Sequence, residues 1–574
     1  MSIKYILDRL PNHLAPIMIE QNYSRYTAQD QAVWRAVMKQ NIRYLKNVAH
    51  SSYLEGLEKT GISLDRIPSI EEMNHSLGKM GWAAVTVDGF IPPASFMEFQ
   101  KHKVLVIAAD IRSVDQIEYT PAPDIIHEAA GHAPIIADPE YADYLRYFGE
   151  IGSKAFSSKS DYRIYEAIRH LSILKADPTS SKSTICEAEN LLNNEIENAE
   201  IPSEMSLVRN LHWWTVEYGL IGDIKNPKIY GAGLLSSIGE SKDALKSNVI
   251  KLPYTLDTKD YSFDITAPQP QLFVTPDFKY LTHILDEFAN QMALRTGGLD
   301  GIMKAIESGN TATLEYSSGL QVSGTFTNTI VHKGSPIYIN TTGPTTLNFN
   351  NIMLPGEGPE KHPDGFGSPI GKIKGTLVPT RFLSDNELME LGIRVGSYSS
   401  FEFESGIKVT GELRNVVRKD GTLILMSFTN CKVTHNRKVL FEPEWGQYDM
   451  AIGESIVSAF SGPADSDGFG LKIDPPKEKT HKIVYSQPTL HLHKLYENVR
   501  RIREQKQNYY SLHNIWSNVV KDYHNEWLLP VEIYELIKSD SDLVNLSNDI
   551  RSYLLDKRSS IPESELIIDG LLIE

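Results

Sequence analysis

Cysteine is nearly absent from this sequence of 574 residues, which contains only Cys186 and Cys431. Two isolated cysteines provide neither a disulfide framework nor a CxxC metal site, and this predicts a cytoplasmic protein. Long apolar runs are also missing, since no segment approaches the roughly 18 uninterrupted apolar residues that are typical of a membrane-spanning helix. The first residues lack the basic and then apolar pattern of a signal peptide. We therefore expect no membrane partner.

Positive charge is scarcer than negative charge. The chain has 57 Lys and Arg against 73 Asp and Glu, which gives a net charge of −16. Nucleic acids and anionic membranes favour a basic surface, so neither is expected as a partner. A hydrophobic content of 41% with 23% charged residues is typical of a globular protein. The length exceeds that of one hydrophobic core, so about two to four domains are expected.

Two histidines mark the stretch 119–132, which has the sequence YTPAPDIIHEAAGH. His127 and His132 are five residues apart, and Glu128 lies between them. The zinc-protease motif HExxH instead places its histidines four residues apart, and this sequence has Gly131 at that position. On a straight α-helix the i+5 position lies about 140° around from position i. We therefore expect the helix to loosen or break near Gly131, a residue suited to unusual backbone angles, and a zinc hydrolase is the weaker alternative.

An iron site fits the two histidines better, provided that a carboxylate joins them. Two imidazoles and one carboxylate on one face of Fe(II) leave open positions for oxygen and substrate. Glu217 lies in the otherwise apolar run WWTVEYGL, residues 213–220. A buried carboxylate is costly unless it is paired or bound to a metal, so Glu217 is a candidate functional residue. Asp124 and Glu128 are candidate residues for orienting the metal ligands through hydrogen bonds.

The stretch 119–132 resembles the iron-ligand segment of the pterin-dependent aromatic amino acid hydroxylases. Residues 213–220 and 230–240, the latter with sequence YGAGLLSSIGE, resemble the third-ligand region of the same family. The early segments LPNHL and YTAQDQAVWR are similar to its bacterial members, the phenylalanine hydroxylases above all. The resemblance covers about residues 1–297. It implies a mainly α catalytic domain that uses Fe(II), tetrahydrobiopterin or another tetrahydropterin, and O₂ to hydroxylate a free aromatic amino acid.

The resemblance also implies roles for single residues. The expected iron ligands and catalytic residues are His127, His132 and Glu217. Asp124 is expected to orient His127. The expected pterin-binding residues are Gly89, Phe90, Ile91, Phe96 and Glu128. The expected substrate-binding residues are Arg112, Thr120, Trp213, Ser236 and Ile265. Arg112 suits the substrate carboxylate because a guanidinium presents paired donors in one plane.

L-Phenylalanine is the favoured substrate, with L-tyrosine as the product. Trp213 is similar to phenylalanine hydroxylases, whereas tryptophan hydroxylases tend to carry Phe there, and Ile265 stands where tyrosine hydroxylases carry Asp. Tryptophan hydroxylation is the first alternative. His212 departs from the Tyr of animal phenylalanine hydroxylases, so no role is transferred to it. A regulatory protein with a degenerate hydroxylase core is disfavoured because all three ligand positions are intact.

The second half of the chain has a different pattern. Residues 311–473 alternate β-branched and polar residues with many glycines, which predicts short strands and turns. The segment GLQVSG at 319–324 recurs as GIKVTG at 406–411, 87 residues later, and this indicates a duplicated β-rich unit. Three domains are expected: a catalytic domain at 1–303, the β-rich region at 311–473 and a helical region at 485–574. Any homo-oligomer is expected to form through the C-terminal half.

Overall fold

A computed structural model of the chain describes residues 3–118, 123–177, 180–199, 202–265, 268–475, 485–558 and 564–572. The predicted fold class is confirmed: a mainly helical unit is followed by a β-rich duplicated region and then by C-terminal helices. Within the described residues, no helix is both long enough and apolar enough to cross a membrane.

The N-terminal unit is built mainly from helices. Its longest, the 21-residue α2, begins with a capping box. The Thr27 hydroxyl accepts a hydrogen bond from the backbone N–H of Asp30, and the Asp30 carboxylate accepts one from the backbone N–H of Thr27. The sequence suits this helix start, because Thr is a favourable N-cap residue. The helices are α1 Ile3–Leu7, α2 Ala28–Val48, α3 Ser51–Thr60, α4 Ile70–Gly78, α5 Pro93–Lys101, α6 Ala133–Ile135, α7 Pro139–Gly152, α8 Lys159–Ala176, α9 Lys182–Glu197, α10 Glu204–His212, α11 Ala232–Leu235, α12 Ile238–Ala244, α13 Phe278–Ala289, α14 Ala293–Thr296 and α15 Gly298–Ser308.

Two small sheets complete this unit, with strand orders β1-β2-β3 and β5-β4-β7-β6. Their strands are β1 Met18–Ile19, β2 Ala83–Val87, β3 Val104–Ala108, β4 Leu220–Ile221, β5 Lys228–Ile229, β6 Ile250–Pro253 and β7 Gln271–Thr275. Strands β2 and β3 are parallel and fully buried. Their carboxyl ends therefore lie at one sheet edge, and they deliver the loop at 88–91 and Arg112 to the same side of the unit.

The β-rich region contains the predicted repeat. The hairpin of β9 and β10 turns at Lys333 and Gly334 with φ of 50° and 81°, and the hairpin of β14 and β15 turns at Asp420 and Gly421 with φ of 48° and 78°. Positive φ at both central residues is typical of the type I′ hairpin turn. The strands are β8 Thr311–Tyr316, β9 Leu320–His332, β10 Ser335–Phe349, β11 Ile352–Met353, β12 Gly367–Pro369, β13 Tyr398–Glu402, β14 Lys408–Lys419, β15 Thr422–His435, β16 Lys438–Phe441, β17 Tyr448–Ala451 and β18 Ile456–Ser461.

Two sheets hold these strands. One has the order β11-β10-β9-β8-β18 with β12 paired to β10, and the other has the order β13-β14-β15-β16 with β17 paired to β15. The short helices of this region are α16 Asp385–Glu390 and α17 Ser466–Phe469. Helix α15 contributes Ile302 and Ala305 to the hydrophobic core of the first sheet. The predicted boundary at residue 303 therefore falls inside a helix that packs on the β-rich region.

The C-terminal helices return to the N-terminal unit. They are α18 Gln487–Gln505, α19 Leu512–Asp522, α20 Leu528–Ile537, α21 Val544–Lys557 and α22 Ser564–Leu571. Apolar residues of these helices belong to the same hydrophobic cluster as α2 and the catalytic half. The guanidinium of Arg35 on α2 donates from Nε and Nη2 to Glu532 on α20 at 2.5–3.0 Å, and both side chains are nearly fully buried. The chain thus has three segments in sequence, but the first and the third share one hydrophobic core.

Replacing Glu532 with Ala should destabilise the helical core. The change leaves the Arg35 guanidinium buried without its carboxylate, and removing one partner of a buried pair costs about 3–5 kcal/mol. The loss is measured as a lower midpoint of chemical denaturation, followed by far-ultraviolet circular dichroism. Glu504→Ala is the control, since Glu504 pairs with Arg500 at an exposed position. Equal midpoints for the two variants would mean that α20 does not stabilise the catalytic half.

Candidate active site

Two short π-helical turns carry the expected iron ligands. The first spans His127–His132, and the backbone N–H of Ala133 donates to the carbonyl of Glu128, five residues earlier. Hydrogen bonds of this i→i+5 type widen the helical turn, so residues five apart lie on one face. The expected loosening of the helix is therefore present, and it takes the form of a wider turn rather than a break.

The second π-helical turn spans Trp213–Glu217 and continues directly from α10. The backbone N–H of Tyr218 donates to the carbonyl of Trp213 at 2.9 Å. Most of this turn is buried, and the Thr215 hydroxyl within it hydrogen bonds to Tyr144. Single-turn π bulges inside helices are rare and frequent at functional sites. Here each of them aims a candidate ligand at the same point.

Gly131 has a different role from the expected one. A Cβ atom at this position would lie 2.5 Å from the carbonyl oxygen of Ala232, and φ of Gly131 is not in the left-handed region. The expectation that Gly131 provides an unusual backbone angle is therefore wrong. Its hydrogen allows the first π-helical turn to approach α11 closely. Gly231 acts in the same way on the other side, because its Cβ would lie 2.4 Å from the Glu217 carbonyl oxygen.

Three donor atoms converge where these turns meet. Nε2 of His127 and Nε2 of His132 are 3.1 Å apart. The Glu217 carboxylate lies 3.2 Å from Nε2 of His127 and 3.3 Å from Nε2 of His132. Donors about 2.1 Å from one metal ion and at right angles around it would be separated by about 3 Å. The observed spacing therefore fits a single metal ion.

A second carboxylate is close to the same point. His127, Glu128 and His132 also place one donor atom each within 4.8 Å of one another. Oε2 of Glu128 is 3.9 Å from Nε2 of His132, which is farther than either Glu217 contact. The distances therefore favour Glu217 over Glu128 as the third donor.

The pKa values of these two acids are shifted in opposite directions. Burial alone would raise the pKa of Glu217, but the facing imidazoles of His132 and His127 hold it well below its usual range. Burial raises the pKa of Glu128 to about 8, and the attraction of His132 offsets only part of that shift. Burial also lowers the pKa of the neighbouring His212 to about 4. At neutral pH the site thus contains one ionised carboxylate, one protonated carboxyl group and a neutral His212.

Ser236 supports the ring of His127. Its Oγ lies 3.1 Å from Nδ1 of His127 and donates to the carbonyl of Ala232 at 2.8 Å. Because the hydroxyl proton is used in that way, Nδ1 carries the imidazole proton and Nε2 is free to bind a metal. Ser236 thus contacts the ring of a candidate ligand, and its expected contact with the substrate stays a prediction. Asp124 reaches His127 through the backbone and not through the ring, since it accepts a hydrogen bond from the backbone N–H of His127 at 3.0 Å.

Arg112 is held in place by Asp124. Its Nε and Nη2 each donate to that carboxylate at 2.8 Å, and Nη1 donates to the carbonyl of Ser236 at 3.3 Å. A guanidinium has about five N–H donors, so part of its donor set remains unused. Thr120, the other expected carboxylate-binding residue, lies outside the described residues.

One cavity of about 290 Å³ joins these elements. Its wall includes nearly all the residues expected to bind iron, pterin or substrate: Gly89, Phe90, Ile91, Phe96, Arg112, His127, Glu128, Trp213, Glu217, Ser236 and Ile265. His132 is buried and does not line the cavity. The sequence prediction had not assigned a role to several other wall residues: Tyr165, Arg209, His212, Tyr218, Glu240 and Phe263. Tyr218 and Glu240 lie within the segments 213–220 and 230–240, but nothing in the sequence singled them out, and the six residues come together only through the fold.

Aromatic stacking shapes the part of the wall near Trp213. The indole stacks with Phe263 at a centroid distance of 4.3 Å and an interplanar angle of 8°. It also stacks with Tyr218 at 4.6 Å and 26°. The Tyr218 hydroxyl donates to Glu240 at 2.6 Å. Trp213 is therefore fixed by its neighbours and offers a rigid apolar surface.

Comparison with known proteins finds relatives of the first half of the chain. Residues 20–166 and 199–297 match the family model of the biopterin-dependent aromatic amino acid hydroxylases. The phenylalanine-4-hydroxylase of Mesorhizobium japonicum is 27% identical over 271 residues, which cover 46% of this chain and 82% of the relative. That of Chromobacterium violaceum is 28% identical over 274 residues, which cover 45% and 77%. The crystal structure of the C. violaceum enzyme with bound oxidized Fe(III) is 25% identical, has a TM-score of 0.38 and covers 48% of this chain and 87% of that one.

The first half of the chain is therefore a biopterin-dependent aromatic amino acid hydroxylase domain, and the resemblance seen in the sequence is confirmed. Members of this family use iron and biopterin. Another C. violaceum structure is described as holding iron (III) and the oxidized cofactor 7,8-dihydrobiopterin.

Replacing Gly131 with Ala should separate the two histidines. The added methyl group would overlap the Ala232 carbonyl, so the first π-helical turn must move away from α11 and carry His132 with it. We expect metal affinity to fall by at least about tenfold, the range typical for lost support of a metal ligand. Titration calorimetry with Fe(II) under anaerobic conditions measures it. Gly239→Ala is the matched control, because its nearest non-neighbour atom is 4.0 Å away. Unchanged affinity in Gly131→Ala would contradict the close-approach explanation.

Proposed function

We propose that the chain is an Fe(II)- and tetrahydropterin-dependent monooxygenase that hydroxylates free L-phenylalanine to L-tyrosine with O₂. The observation that supports the proposal most is the convergence of His127, His132 and Glu217 within 3.3 Å of one another. These donors lie beside a cavity whose volume is near the lower end of small-molecule sites.

His127, His132 and Glu217 would hold the iron. Three protein donors on one side of the ion leave its remaining positions open, as in other Fe(II) oxygenases with two histidines and a carboxylate. When bound, the iron and the pterin supply the oxygen-activating chemistry. The contribution of the protein is geometric: Ser236 fixes the orientation of the His127 ring, and the two π-helical turns fix the separation of the donors.

The pterin would bind along the wall formed by Gly89, Phe90, Ile91 and Phe96. The Phe96 ring is held by an edge-to-face contact with His212 at a centroid distance of 5.6 Å, so it can present a fixed surface to a flat heterocycle. Glu128 lines the same cavity, and its Oε2 has no hydrogen-bond partner within the part of the chain that the structure describes. An unpartnered buried oxygen is costly, and the ring N–H groups of a pterin would satisfy it.

The amino acid would bind on the opposite side, between Arg112 and Glu240. The unused guanidinium donors of Arg112 suit the substrate carboxylate, and the Glu240 carboxylate suits the ammonium group. Both side chains line the same cavity. Burial raises the pKa of Glu240, and hydrogen bonds from Tyr218 and Ser237 and the charge of Arg112 offset part of that shift. The phenyl ring would then lie against Trp213, with Ile265 in the same wall.

Variants at Glu217 and Glu128 should differ in their iron content. Glu217→Gln should lose iron, as should His127→Ala and His132→Ala, because each removes one of three donors. Glu128→Gln, the matched control one turn from the donor cluster, should keep near-stoichiometric iron. Elemental analysis of anaerobically loaded and desalted protein measures the difference, and circular dichroism checks the fold. Iron retained in Glu217→Gln and lost in Glu128→Gln would reverse the ligand assignment.

Phenylalanine should be preferred over tyrosine by at least about tenfold in kcat/KM, since an unpaired hydroxyl against apolar side chains costs about 1–3 kcal/mol. Tryptophan should be a poorer substrate because Trp213, fixed by stacking, restricts the space for an indole. Trp213→Phe should relax that restriction. Turnover of the three amino acids at saturating tetrahydropterin measures the order. A wild-type preference for tryptophan would favour the alternative function, tryptophan hydroxylation.

A further inference from the structure

One guanidinium in the cavity wall has no acid bound to it. Arg209 on α10 lines the cavity and is partly buried. Among the described residues, no hydrogen bond or ion pair reaches this side chain. Burial lowers the pKa of Arg209, and the attraction of Asp161 offsets only part of that effect. Asp161 itself is engaged at the start of α8, where it accepts hydrogen bonds from the N–H and hydroxyl of Ser158.

Three other buried or partly buried arginines are paired with acids. Arg35 binds Glu532, Arg112 binds Asp124, and Arg503 contacts both Glu532 and Glu535. This pairing is expected, because a buried charge without a counter-ion is strongly unfavourable. Arg209 departs from the pattern and faces a cavity rather than a protein carboxylate. The missing partner is therefore to be sought in a ligand.

The position of Arg209 indicates which ligand that is. On α10 it precedes His212 by three residues and Trp213 by four, so it lies on the same face one turn earlier. The His212 ring contacts Phe96 of the pterin wall at a centroid distance of 5.6 Å, and Tyr165 and Ile168 of α8 line the same cavity.

Tyr165 in turn connects this region to the pterin wall. Its hydroxyl donates to the carbonyl of Phe90 at 3.2 Å. Arg209 therefore lies one helical turn from His212, which contacts Phe96 of the pterin wall, whereas Arg112, Ser236 and Glu240 come from other elements. A ligand group at Arg209 thus belongs to the molecule that binds along that loop.

We propose that Arg209 binds a carboxylate or phosphate group on the side chain of the pterin, so that this site selects a negatively charged pterin over a neutral one. The inference rests on the proposed pterin site and adds the charge of its ligand. A guanidinium suits this task because its paired, planar donors match both carboxylate and phosphate. The net charge of −16 disfavours the binding of an anion, so an anionic pterin needs a cationic side chain at its site.

A matched pair of pterins tests the proposal. Titration calorimetry with iron-loaded protein compares 7,8-dihydroneopterin with its 3′-phosphate, which differs only in charge and the added group. The wild type should bind the phosphate at least about tenfold more tightly, the effect of one charge-assisted contact. Arg209→Met should remove this preference and leave the affinity for the neutral pterin unchanged, which also shows that the variant is folded. Arg146→Met is the control, because Arg146 pairs with Glu150 on the exposed side of α7.

The other outcomes are separable. Equal binding of both pterins by the wild type would overturn the inference and leave the proposed hydroxylase standing. A phosphate preference that survives in Arg209→Met would also overturn it, since another residue would then hold the anion. Binding of neither pterin would overturn it together with the pterin part of the proposed function. A third arm compares 4-carboxyphenylalanine with phenylalanine: a preference for the former that Arg209→Met abolishes would assign the anion to the amino acid and contradict a charged cofactor.

Discussion

The convergence of two imidazoles and one carboxylate at a single point is the constraint on which the catalytic half depends. Ordinary α-helices would direct His127 and His132 to different sides, and the structure avoids this by widening one turn in each ligand segment. Wider turns need space, and glycines provide it. Gly131 allows the first turn to approach α11, and Gly231 allows the backbone at Glu217 to lie equally close. The metal site is thus a consequence of close backbone packing as much as of ligand identity.

The same residues connect the His127 donor to the part of the cavity wall that contains Arg112. Asp124 holds both the Arg112 guanidinium and the backbone of His127, and Ser236 contacts the His127 ring while its carbonyl accepts from Arg112. Helix α2 and the C-terminal helix α22 also contact this segment. Asn41 on α2 donates to the carbonyl of Leu235, and Lys242 on α12 pairs with Asp569 on α22. A change in the packing of the C-terminal helices would therefore alter the positions of α11 and α12.

Sequence patterns were informative wherever a local rule decides the structure. Thr27 begins α2 because a side-chain cap is a local interaction, and the 87-residue repeat appears as two hairpins with the same positive-φ turns at Lys333 and Asp420. The π-helical turns could be predicted only as a loosening, since their hydrogen bonds depend on neighbours far along the chain. The contact of Ser236 with the His127 ring and the position of Arg209 in the cavity wall could not be predicted, because these surroundings form only when distant segments pack. The Arg35–Glu532 pair, across 497 residues, has no signature in either segment.

Anomalous diffraction from crystals of the iron-loaded protein, recorded at the iron edge, tests the central claim most directly. The account predicts one iron peak about 2 Å from Nε2 of His127, Nε2 of His132 and an oxygen of Glu217. A peak bound by Glu128 in place of Glu217 would contradict it. So would a peak at the buried group of Glu357, His362 and Asp449, whose carboxylates are already paired with Lys361.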